Sequence, residues 1–345
     1  MTVYRRAPQL FIEWHGPDMV LVDTASLQRF RANPTVLDLL SRLDAWKPVD
    51  ALDSDEGPSV RASLDRLVDL GLLERSEDDV EANGRGPALD LWSPYELAMH
   101  RLVSAGGYRG DAEVLRNGTA PSLRKPRAEG EVVKLPKADP QLSISLSDAL
   151  EQRRTIRTYG ERAMTLAELS TLLHYAARIT RMRHDETLGD EALHTYPTSG
   201  ARSELEVYVV ANDVAGLPNG AYYFDPIEQT ITHLEAADEE GRQALLRNMH
   251  GAAGGLLNRD PQVVIVITAV FGRIMWKYRD IGLVMIYKDT GALLQTLYLV
   301  STATNLAPCA IGGGNEMATT RWLGLDPLVE AQVGCFLVGV PDNAS

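Results

Sequence analysis

The sequence predicts an α+β protein, in which a sheet rich in antiparallel strands is flanked by helices and follows a separate small domain. Three short segments of strand composition surround the turn Pro218-Asn219-Gly220 and predict a meander: residues 206–211, 221–224 and 230–234. The continuous apolar run Val263–Val270 is typical of a strand buried on both faces. The charge-poor segment 290–305 predicts a long helix, either central to the fold or at a subunit interface.

Residues 1–85 are predicted to form a winged-helix-like domain that binds a peptide or a partner protein. The expected elements are strands around His15-Gly16-Pro17, helices over 24–44 and 60–70, a helix end at Gly71 and a wing from Leu72. DNA binding is the other function of such a scaffold, but residues 1–90 carry 10 Lys and Arg against 17 Asp and Glu. DNA phosphates attract the opposite charge, so the composition favours a peptide or protein partner.

Residues 86–140 are predicted to be a helix followed by a linker arm. The Gly- and Pro-rich segment Asn83-Gly84-Arg85-Gly86-Pro87 indicates the domain boundary. Ser93 as the N-cap and Pro94 at the first helical position predict the start of the helix. The stretch 106–140 is rich in Gly, Pro and mixed charge, which is typical of an arm laid over a surface and partly mobile.

Residues 141–345 are predicted to form the main domain. Besides the elements named above, helices are expected over 147–154 and 165–177, and a final strand over 335–340. Thr165 and Glu168 have the spacing of a capping box, which predicts the start of the second of these helices.

The composition excludes several function classes. A formal net charge of −13 over 345 residues argues against nucleic acid as the main partner. Cys309 and Cys335 lie in apolar surroundings without metal-ligand spacing, so we expect buried free thiols and no metal. The first residues lack the apolar run of a signal peptide, and no stretch reaches the roughly 20 apolar residues of a membrane span. We therefore expect a cytoplasmic protein without a membrane partner.

Two motifs about forty residues apart predict a mononucleotide cofactor of flavin type. The cluster Arg153-Arg154-Thr155-Ile156-Arg157, expected at the start of a helical segment, offers forked donors of permanent charge that suit a phosphate. The turn Tyr196-Pro197-Thr198-Ser199-Gly200-Ala201-Arg202 supplies a hydroxyl, backbone N–H groups and a residue without Cβ, so a flat ring can approach the main chain. The alternative is that the arginines cap a solvated helix and the turn is an ordinary one.

Two further motifs add to this prediction. Gly312-Gly313-Gly314 follows the long helix and can present backbone amides to a ligand, although three glycines also suit a hinge. Lys277 and Tyr278 would point to opposite faces of a strand, but both can reach one cleft from a bend. Either side chain can act as a proton acceptor if its pKa falls toward neutrality. The alternative is a surface Lys beside a packing Tyr.

The order and spacing of these motifs resemble those of the SagB-type dehydrogenases, also called McbC-like or cyanobactin-oxidase-like, a branch of the nitroreductase-like flavoproteins. The resemblance covers about residues 91–340, roughly 70% of the chain. Besides the motifs above, it rests on Glu204-Leu205-Glu206-Val207-Tyr208-Val209-Val210, Gly220-Ala221-Tyr222-Tyr223-Phe224-Asp225-Pro226, Asp289-Thr290-Gly291 and Gln295-Thr296-Leu297-Tyr298-Leu299.

The resemblance implies a nitroreductase-like FMN fold and a role for each motif. The residues it assigns to FMN are Arg153, Arg154, Thr155 and Arg157 at the phosphate and ribityl chain, Pro197, Ser199 and Gly200 at the flavin edge, and Gln295, Gly312, Gly313 and Gly314 at the ring. Lys277 and Tyr278 match the pair that is implicated in azoline oxidation.

The implied function is an FMN-dependent dehydrogenase that oxidises thiazolines or oxazolines to azoles in a ribosomally made, modified precursor peptide. A homodimer and a cyclodehydratase are the implied protein partners. One alternative keeps the flavin and reverses the chemistry, as an NAD(P)H-linked reductase of a dehydroamino acid, nitro or quinone compound. Another is a catalytically silent scaffold partner of a cyclodehydratase. No segment resembles a dinucleotide-binding loop, which favours the dehydrogenase.

Overall fold

The computed structural model describes residues 2–8, 10–23, 28–49, 58–77, 92–104, 118–126, 129–142, 144–186, 188–278 and 281–342. The chain divides into two compact units, residues 1–107 and 108–345. The boundary motif predicted at residues 83–87 and the first part of the predicted arm lie outside the described residues.

The first unit contains two small antiparallel sheets and three helices within its described residues. The elements are β1 (Val3–Arg6), β2 (Leu10–His15), β3 (Asp18–Asp23), β4 (Arg29–Arg31), α1 (Pro34–Arg42), β5 (Lys47–Pro48), α2 (Pro58–Asp69), β6 (Leu73–Ser76) and α3 (Pro94–Ser104). β1 is the middle strand of one sheet, between β5 and β6, and β3 is the middle strand of the other, between β2 and β4.

Most of the elements predicted for this unit are present, with one correction. The hairpin of β2 and β3 turns at His15-Gly16-Pro17, and Gly71 ends α2 in the left-handed region with a φ of 73°. The helix predicted over 24–44 is wrong in its first half, because residues 29–31 form β4 and α1 begins only at Pro34. A proline disfavours helical conformation in the residue before it and suits the first helical position, so Asn33 is extended and caps the helix.

The second unit carries the larger sheet. Its elements are β7 (Val132–Lys134), α4 (Leu146–Gln152), β8 (Met164–Thr165), α5 (Leu166–Ala177), β9 (Ile179–Asp185), β10 (Gly189–His194), β11 (Leu205–Ala211), β12 (Val214–Ala215), β13 (Gly220–Asp225), β14 (Thr230–His233), α6 (Glu239–Ala252), β15 (Val263–Val270), α7 (Phe271–Met275), α8 (Gly282–Ala303), β16 (Ala307–Ile311), α9 (Glu316–Trp322) and β17 (Glu330–Gly339).

Seven of these strands form one antiparallel sheet in the order β16-β17-β15-β11-β13-β14-β7. Because side chains alternate along a strand, Val207 and Val209 of β11 pack under α5 and α8, while Tyr208 and Val210 pack under α6. Both faces are therefore apolar, as the uninterrupted composition of β15 predicts. The layers are helix, sheet and helix, which confirms the predicted α+β class.

Three local predictions for this unit have clear outcomes. Thr165 and Glu168 form the predicted capping box, with Thr165 accepting from the Glu168 amide and the Glu168 side chain accepting from the Thr165 amide. Cys309 and Cys335 are buried free thiols. Helix α8 begins eight residues earlier than predicted, because Lys288 and Asp289 interrupt the apolar pattern without interrupting the helix.

The hairpin of β9 and β10 was not predicted, because its mostly exposed, charged residues show no apolar alternation.

Part of the predicted arm lies on the second unit. The carbonyls of Gly118, Pro121 and Ser122 accept hydrogen bonds from Trp276, Arg202 and Arg273 respectively. Among the described residues, none of the helices is long and apolar enough to cross a membrane.

Candidate active site

The arginine segment lies beside the central helix and the edge strand β16. Its predicted position in a helix is wrong, because α4 ends at Gln152 and Arg153 is its C-terminal cap. The residues that follow form no helix, and the Ile156 amide donates to the Pro308 carbonyl at 2.8 Å. The segment therefore runs alongside β16 instead of exposing its guanidinium groups along a helix.

The hydroxyl of Tyr298 connects three elements at this point. It lies 2.9 Å from the Thr155 hydroxyl and accepts from the Ala310 amide, also at 2.9 Å. The guanidinium of Arg153 lies over the Tyr298 ring, 5.4 Å from its centre. Because Ala310 is two residues before the glycine run, α8 holds the arginine segment and the start of that run in one neighbourhood.

This connection can be tested by removing one hydroxyl. We expect Tyr298→Phe to lower the free energy of unfolding by about 1–3 kcal/mol, because the Ala310 amide loses its acceptor in a partly buried position. Urea unfolding measures the change. The control is Tyr287→Phe, which alters an exposed hydroxyl on the same helix and should leave the free energy within about 0.5 kcal/mol. Equal stability of both variants would contradict the role of the Tyr298 hydroxyl.

The residues around the arginine segment leave room and donors for an anionic, flat ligand. The side chain of Arg154 is exposed, and the buried Nε of Arg157 has no hydrogen-bond partner among the described residues. Gly312 and Gly313 are exposed, and a Cβ placed on either would meet no atom within 4 Å. An unsatisfied guanidinium nitrogen and open space at a glycine run fit the phosphate and ring of a flavin mononucleotide.

The turn predicted for the flavin edge is held by a buried carboxylate. Asp289 of α8 accepts from the Ser199 amide at 2.6 Å and from the Ser199 hydroxyl at 3.1 Å. Gly200 has a φ of 60°, in the left-handed region that favours glycine. Pro197 is exposed beside this turn.

The structure brings Lys277 and Tyr278 to this turn. A Cβ on Gly200 would lie 2.8 Å from the Tyr278 hydroxyl and 3.0 Å from the Lys277 Nζ. Both residues follow the short helix α7, and their amides donate to the Ile274 carbonyl. The bend therefore brings both side chains to one point, as expected from the sequence.

Helix α8 carries both Asp289, which contacts the turn, and Tyr298, which contacts the arginine segment. Asp289 and Tyr298 are nine residues apart, about 14 Å along the helix axis. Gln295 is exposed on α8 three residues before Tyr298, so the two residues share a side of the helix. The predicted site residues thus fall into an arginine and glycine group around Tyr298 and a turn and Lys-Tyr group around Asp289.

Sequence reasoning missed the charged groups buried beneath the turn. Arg273 and Glu206 form an ion pair of 2.6 Å with both side chains almost fully buried. Glu204 is also fully buried, and His194, whose pKa burial lowers to about 4, contacts the Ser203 hydroxyl at 2.9 Å. The signal in the sequence was the pair Glu204 and Glu206 at the start of an otherwise apolar strand. Such a placement is costly unless the carboxyls are paired or protonated.

No group of three or more His, Cys, Asp and Glu residues within the described part of the chain is arranged to hold a metal ion.

The chain is similar to known proteins over the part that contains these residues. The model of the nitroreductase family matches residues 150–340, which include all the residues of both groups. MJ1384 of Methanocaldococcus jannaschii, a candidate nitroreductase, is 30% identical over 195 residues, which cover 55% of this chain and 91% of that protein. The trifolitoxin-processing protein TfxB of Rhizobium leguminosarum bv. trifolii is 26% identical over 189 residues, 52% of this chain. The match spans only 48% of the length of TfxB.

A solved structure shows the same fold. The crystal structure of a candidate nitroreductase from Ralstonia eutropha JMP134 superposes with a TM-score of 0.50 and 22% identity. The superposition covers 65% of this chain and 98% of that protein. The α+β architecture of the second unit is therefore the nitroreductase-like one.

Proposed function

Because the chain belongs to the nitroreductase family of flavin-dependent oxidoreductases, we propose that it is an FMN-dependent dehydrogenase oxidising thiazolines or oxazolines to azoles in a modified peptide. The observation that carries this proposal is the meeting of Lys277 and Tyr278 at Gly200, beside the turn held by Asp289. A reductase of simple nitro compounds needs no such pair, whereas removal of a ring proton needs a placed base. The relation to a trifolitoxin-processing protein also supports a role in processing a natural product.

The proposed cofactor contacts follow the two groups of the site. The arginine segment holds the phosphate, with the unpartnered Nε of Arg157 as one donor. The turn at Ser199 and Gly200 lies at the edge of the ring, and the glycine run faces the ring, with Gln295 nearby. When bound, FMN would supply the two-electron acceptor for the hydride that leaves the azoline carbon.

The chain's own residues handle the proton. Conversion of an azoline to an azole removes two hydrogens, one as the hydride and one as a proton. Either Lys277 or Tyr278 accepts that proton, and the other side chain stabilises the charge that develops in the ring. Gly200 lets both reach the same place, because any side chain there would occupy their space.

The protein is proposed to act as a homodimer that receives its peptide from a cyclodehydratase. Helix α4 packs against α8, and the large apolar side chains Leu146 and Leu150 are exposed on α4. Exposed large apolar side chains on a helix are typical of a surface covered in an assembly.

The first unit is proposed to bind the precursor peptide by adding it as a strand beside β2. This strand is at the edge of its sheet within the described residues, and it exposes 68% of Trp14 and 52% of Ile12. An exposed strand edge with apolar anchors suits an extended peptide, whose main chain continues the sheet.

Trp14→Ala tests this binding mode. We expect the KM for a full-length precursor peptide to rise about 10- to 30-fold, because a buried Trp anchor contributes about 2 kcal/mol. Steady-state assays should show no change in KM for a leaderless core peptide, which serves as the control. An equal effect on both peptides would contradict a leader site on the first unit.

The experiment that tests the function itself is direct. The purified protein should release FMN, identified by mass spectrometry, and a peptide containing azolines should lose two hydrogens per ring. A preparation that binds FMN but leaves every azoline peptide unchanged would refute the proposed reaction, whereas the proposed cofactor would still be supported.

The second candidate is an NAD(P)H-linked flavin reductase, which the relation to MJ1384 favours because the match covers 91% of that protein. Anaerobic mixing with NADPH separates the candidates. Rapid bleaching of the flavin's visible absorbance would support the reductase, and an unchanged spectrum would support the dehydrogenase.

A further inference from the structure

The side chain of Lys125, in the arm segment 118–126, is held on the sheet by a buried carboxylate and two aromatic rings. Its Nζ donates to Glu330 at 2.5 Å and also donates to the hydroxyl of Tyr208. The same Nζ lies 5.0 Å from the centre of the Tyr208 ring and 5.5 Å from the centre of the Tyr223 ring. Carboxylates and the faces of aromatic rings are the groups that attract a cation in a desolvated place. Glu330, Tyr208 and Tyr223 thus form a cation cage.

The cation cage is part of the sheet and is arranged independently of the arm. Tyr208 and Tyr223 lie on β11 and β13, on the sheet face under α6, and Glu330 lies on β17. Glu330 is 4% exposed, and its Oε1 accepts from the hydroxyls of Tyr208 at 2.9 Å and Thr268 at 2.7 Å. These bonds orient the carboxylate, but a buried negative charge stays costly without a counter-charge. Lys125 supplies that charge at Oε2.

The arm that Lys125 fastens holds a residue on each side of the proposed reaction centre. Carbonyls of the arm accept hydrogen bonds of 3.0 Å from Arg202, which ends the turn, and from the indole of Trp276, which directly precedes Lys277 and Tyr278. The Arg202 guanidinium also lies over the Trp276 ring, 5.1 Å from its centre. A third carbonyl of the arm accepts from Arg273 of α7 at 3.0 Å.

Arg202 depends on carbonyl oxygens for its stability in the protein interior. It is 1% exposed and forms no ion pair within the described part of the chain. Its guanidinium donates to the carbonyls of Pro121, Leu188 and Asp190. A buried charge without a counter-ion is costly unless it is hydrogen-bonded. Displacement of the arm would therefore take one acceptor from Arg202 and one from Trp276.

We propose that the cation cage is a binding site for a primary ammonium group, that Lys125 is its internal ligand, and that Lys125 is thereby a positioning residue for the candidate active site. With Lys125 in the cage, the arm stays on the sheet and keeps Arg202 and Trp276 in place. The turn and the Lys-Tyr pair then meet at Gly200. The positioning role rests on the proposed function, whereas the binding of an ammonium group in the cage does not.

Chemical rescue tests the cage without any substrate. Lys125→Ala removes three carbons and an ammonium group, which together match n-propylammonium. A cavity of about 430 Å³ beside Lys125 gives a small amine access. We expect Lys125→Ala to raise the unfolding equilibrium constant about 10- to 100-fold, because Glu330 loses its counter-charge. n-Propylammonium chloride should lower this constant again by about fivefold or more, because it binds only the folded state. Urea unfolding measures both changes.

Two controls separate the charge from other effects of the amine. n-Propanol with NaCl at matched ionic strength fills the same space without a charge, and it should change the constant of Lys125→Ala by less than about twofold. Lys137→Met alters an exposed lysine and should stay within about threefold of the wild type, with or without the amine. Rescue of Lys125→Ala by neither compound, or equally by both, would overturn the cage.

A double-mutant cycle decides the same point if Lys125→Ala does not fold. Lys125→Met keeps the carbon chain, and Glu330→Gln keeps an acceptor for Tyr208 and Thr268. Each single change leaves one charge unpaired, and the double change leaves none. The effect of the double variant on the unfolding constant should therefore be smaller than the product of the two single effects by about fivefold or more. Effects that simply multiply would contradict the cage.

Turnover tests the positioning role. Without urea, Lys125→Ala should lower kcat for azoline oxidation about 10- to 100-fold, because the turn and the Lys-Tyr pair lose their alignment. The Kd for FMN should stay within about threefold, since the arm contacts described above are outside the arginine and glycine group. n-Propylammonium should restore kcat over the concentration range that restores stability. An unchanged kcat in Lys125→Ala would overturn the positioning role. If the wild type oxidises no azoline, the proposed reaction fails, and the rescue of stability still decides the cage.

Discussion

Replacing Lys277 by Ala and Tyr278 by Phe in one variant is expected to lower azoline oxidation by at least a factor of about 10³ while FMN stays bound. A positioned acid or base typically contributes about 10²–10⁴ in rate, and this variant removes both groups that reach Gly200. The cofactor should remain, because the proposed phosphate contacts are in the group of residues around Tyr298, which this variant leaves unchanged. Product formation by mass spectrometry and the visible flavin spectrum measure the two properties separately.

Helix α8 offers a matched control for this variant. Tyr287 and Lys288 are a second adjacent Tyr and Lys, both exposed. Tyr287→Phe with Lys288→Ala should keep the wild-type rate within about twofold. Wild-type oxidation by the Lys277 and Tyr278 variant would remove the proposed base, and the two single variants would show which side chain takes the proton.

Replacing Arg153 and Arg157 by Gln is expected to weaken FMN binding by a factor on the order of 10² to 10⁴. Each charge-assisted hydrogen bond to a phosphate contributes about 1.5–3 kcal/mol, and tenfold in Kd corresponds to about 1.4 kcal/mol. Arg157 has a buried Nε without a partner, so a bound phosphate would satisfy a donor that the chain leaves open. Fluorescence titration of the apoprotein with FMN measures the Kd.

The control removes the same amount of charge elsewhere. Arg162 and Arg181 are exposed arginines outside the site, and changing both to Gln should alter the Kd by less than about threefold. A comparable loss in both double variants would mean that net charge, and not a phosphate contact, governs affinity.

The parts of the fold with strong local signals could be predicted from the sequence. The apolar run Val263–Val270 is a strand over that whole range, and Thr165 caps α5 as its spacing indicates. The predictions failed at positions where tertiary contacts, and not the local sequence, determine the conformation. Lys288 and Asp289 look like a break in an apolar helix, but α8 continues because Asp289 finds partners in the turn.

The sequence indicated which motifs belong to the candidate site, but it did not indicate which of their residues contact one another. The chemistry of the arginine and glycine motifs indicated a cofactor, and the bend indicated that Lys277 and Tyr278 reach one place. The part played by Tyr298 was not predictable, because its partners Thr155 and Ala310 are 143 and 12 residues away in sequence. Only the folded chain shows that a single phenol joins them.

Helix α8 also sets a geometric rule for how this protein can change over evolution. Each added residue turns a helix by about 100°, so one insertion between Asp289 and Tyr298 would swing one of them away from its partners. An insertion between these two residues would have to add a nearly complete helical turn to keep both contacts. Such an insertion would also increase the distance between Asp289 and Tyr298. Relatives that accommodate a larger cofactor or substrate should therefore vary in the loops around α8 and keep the nine-residue spacing of Asp289 and Tyr298.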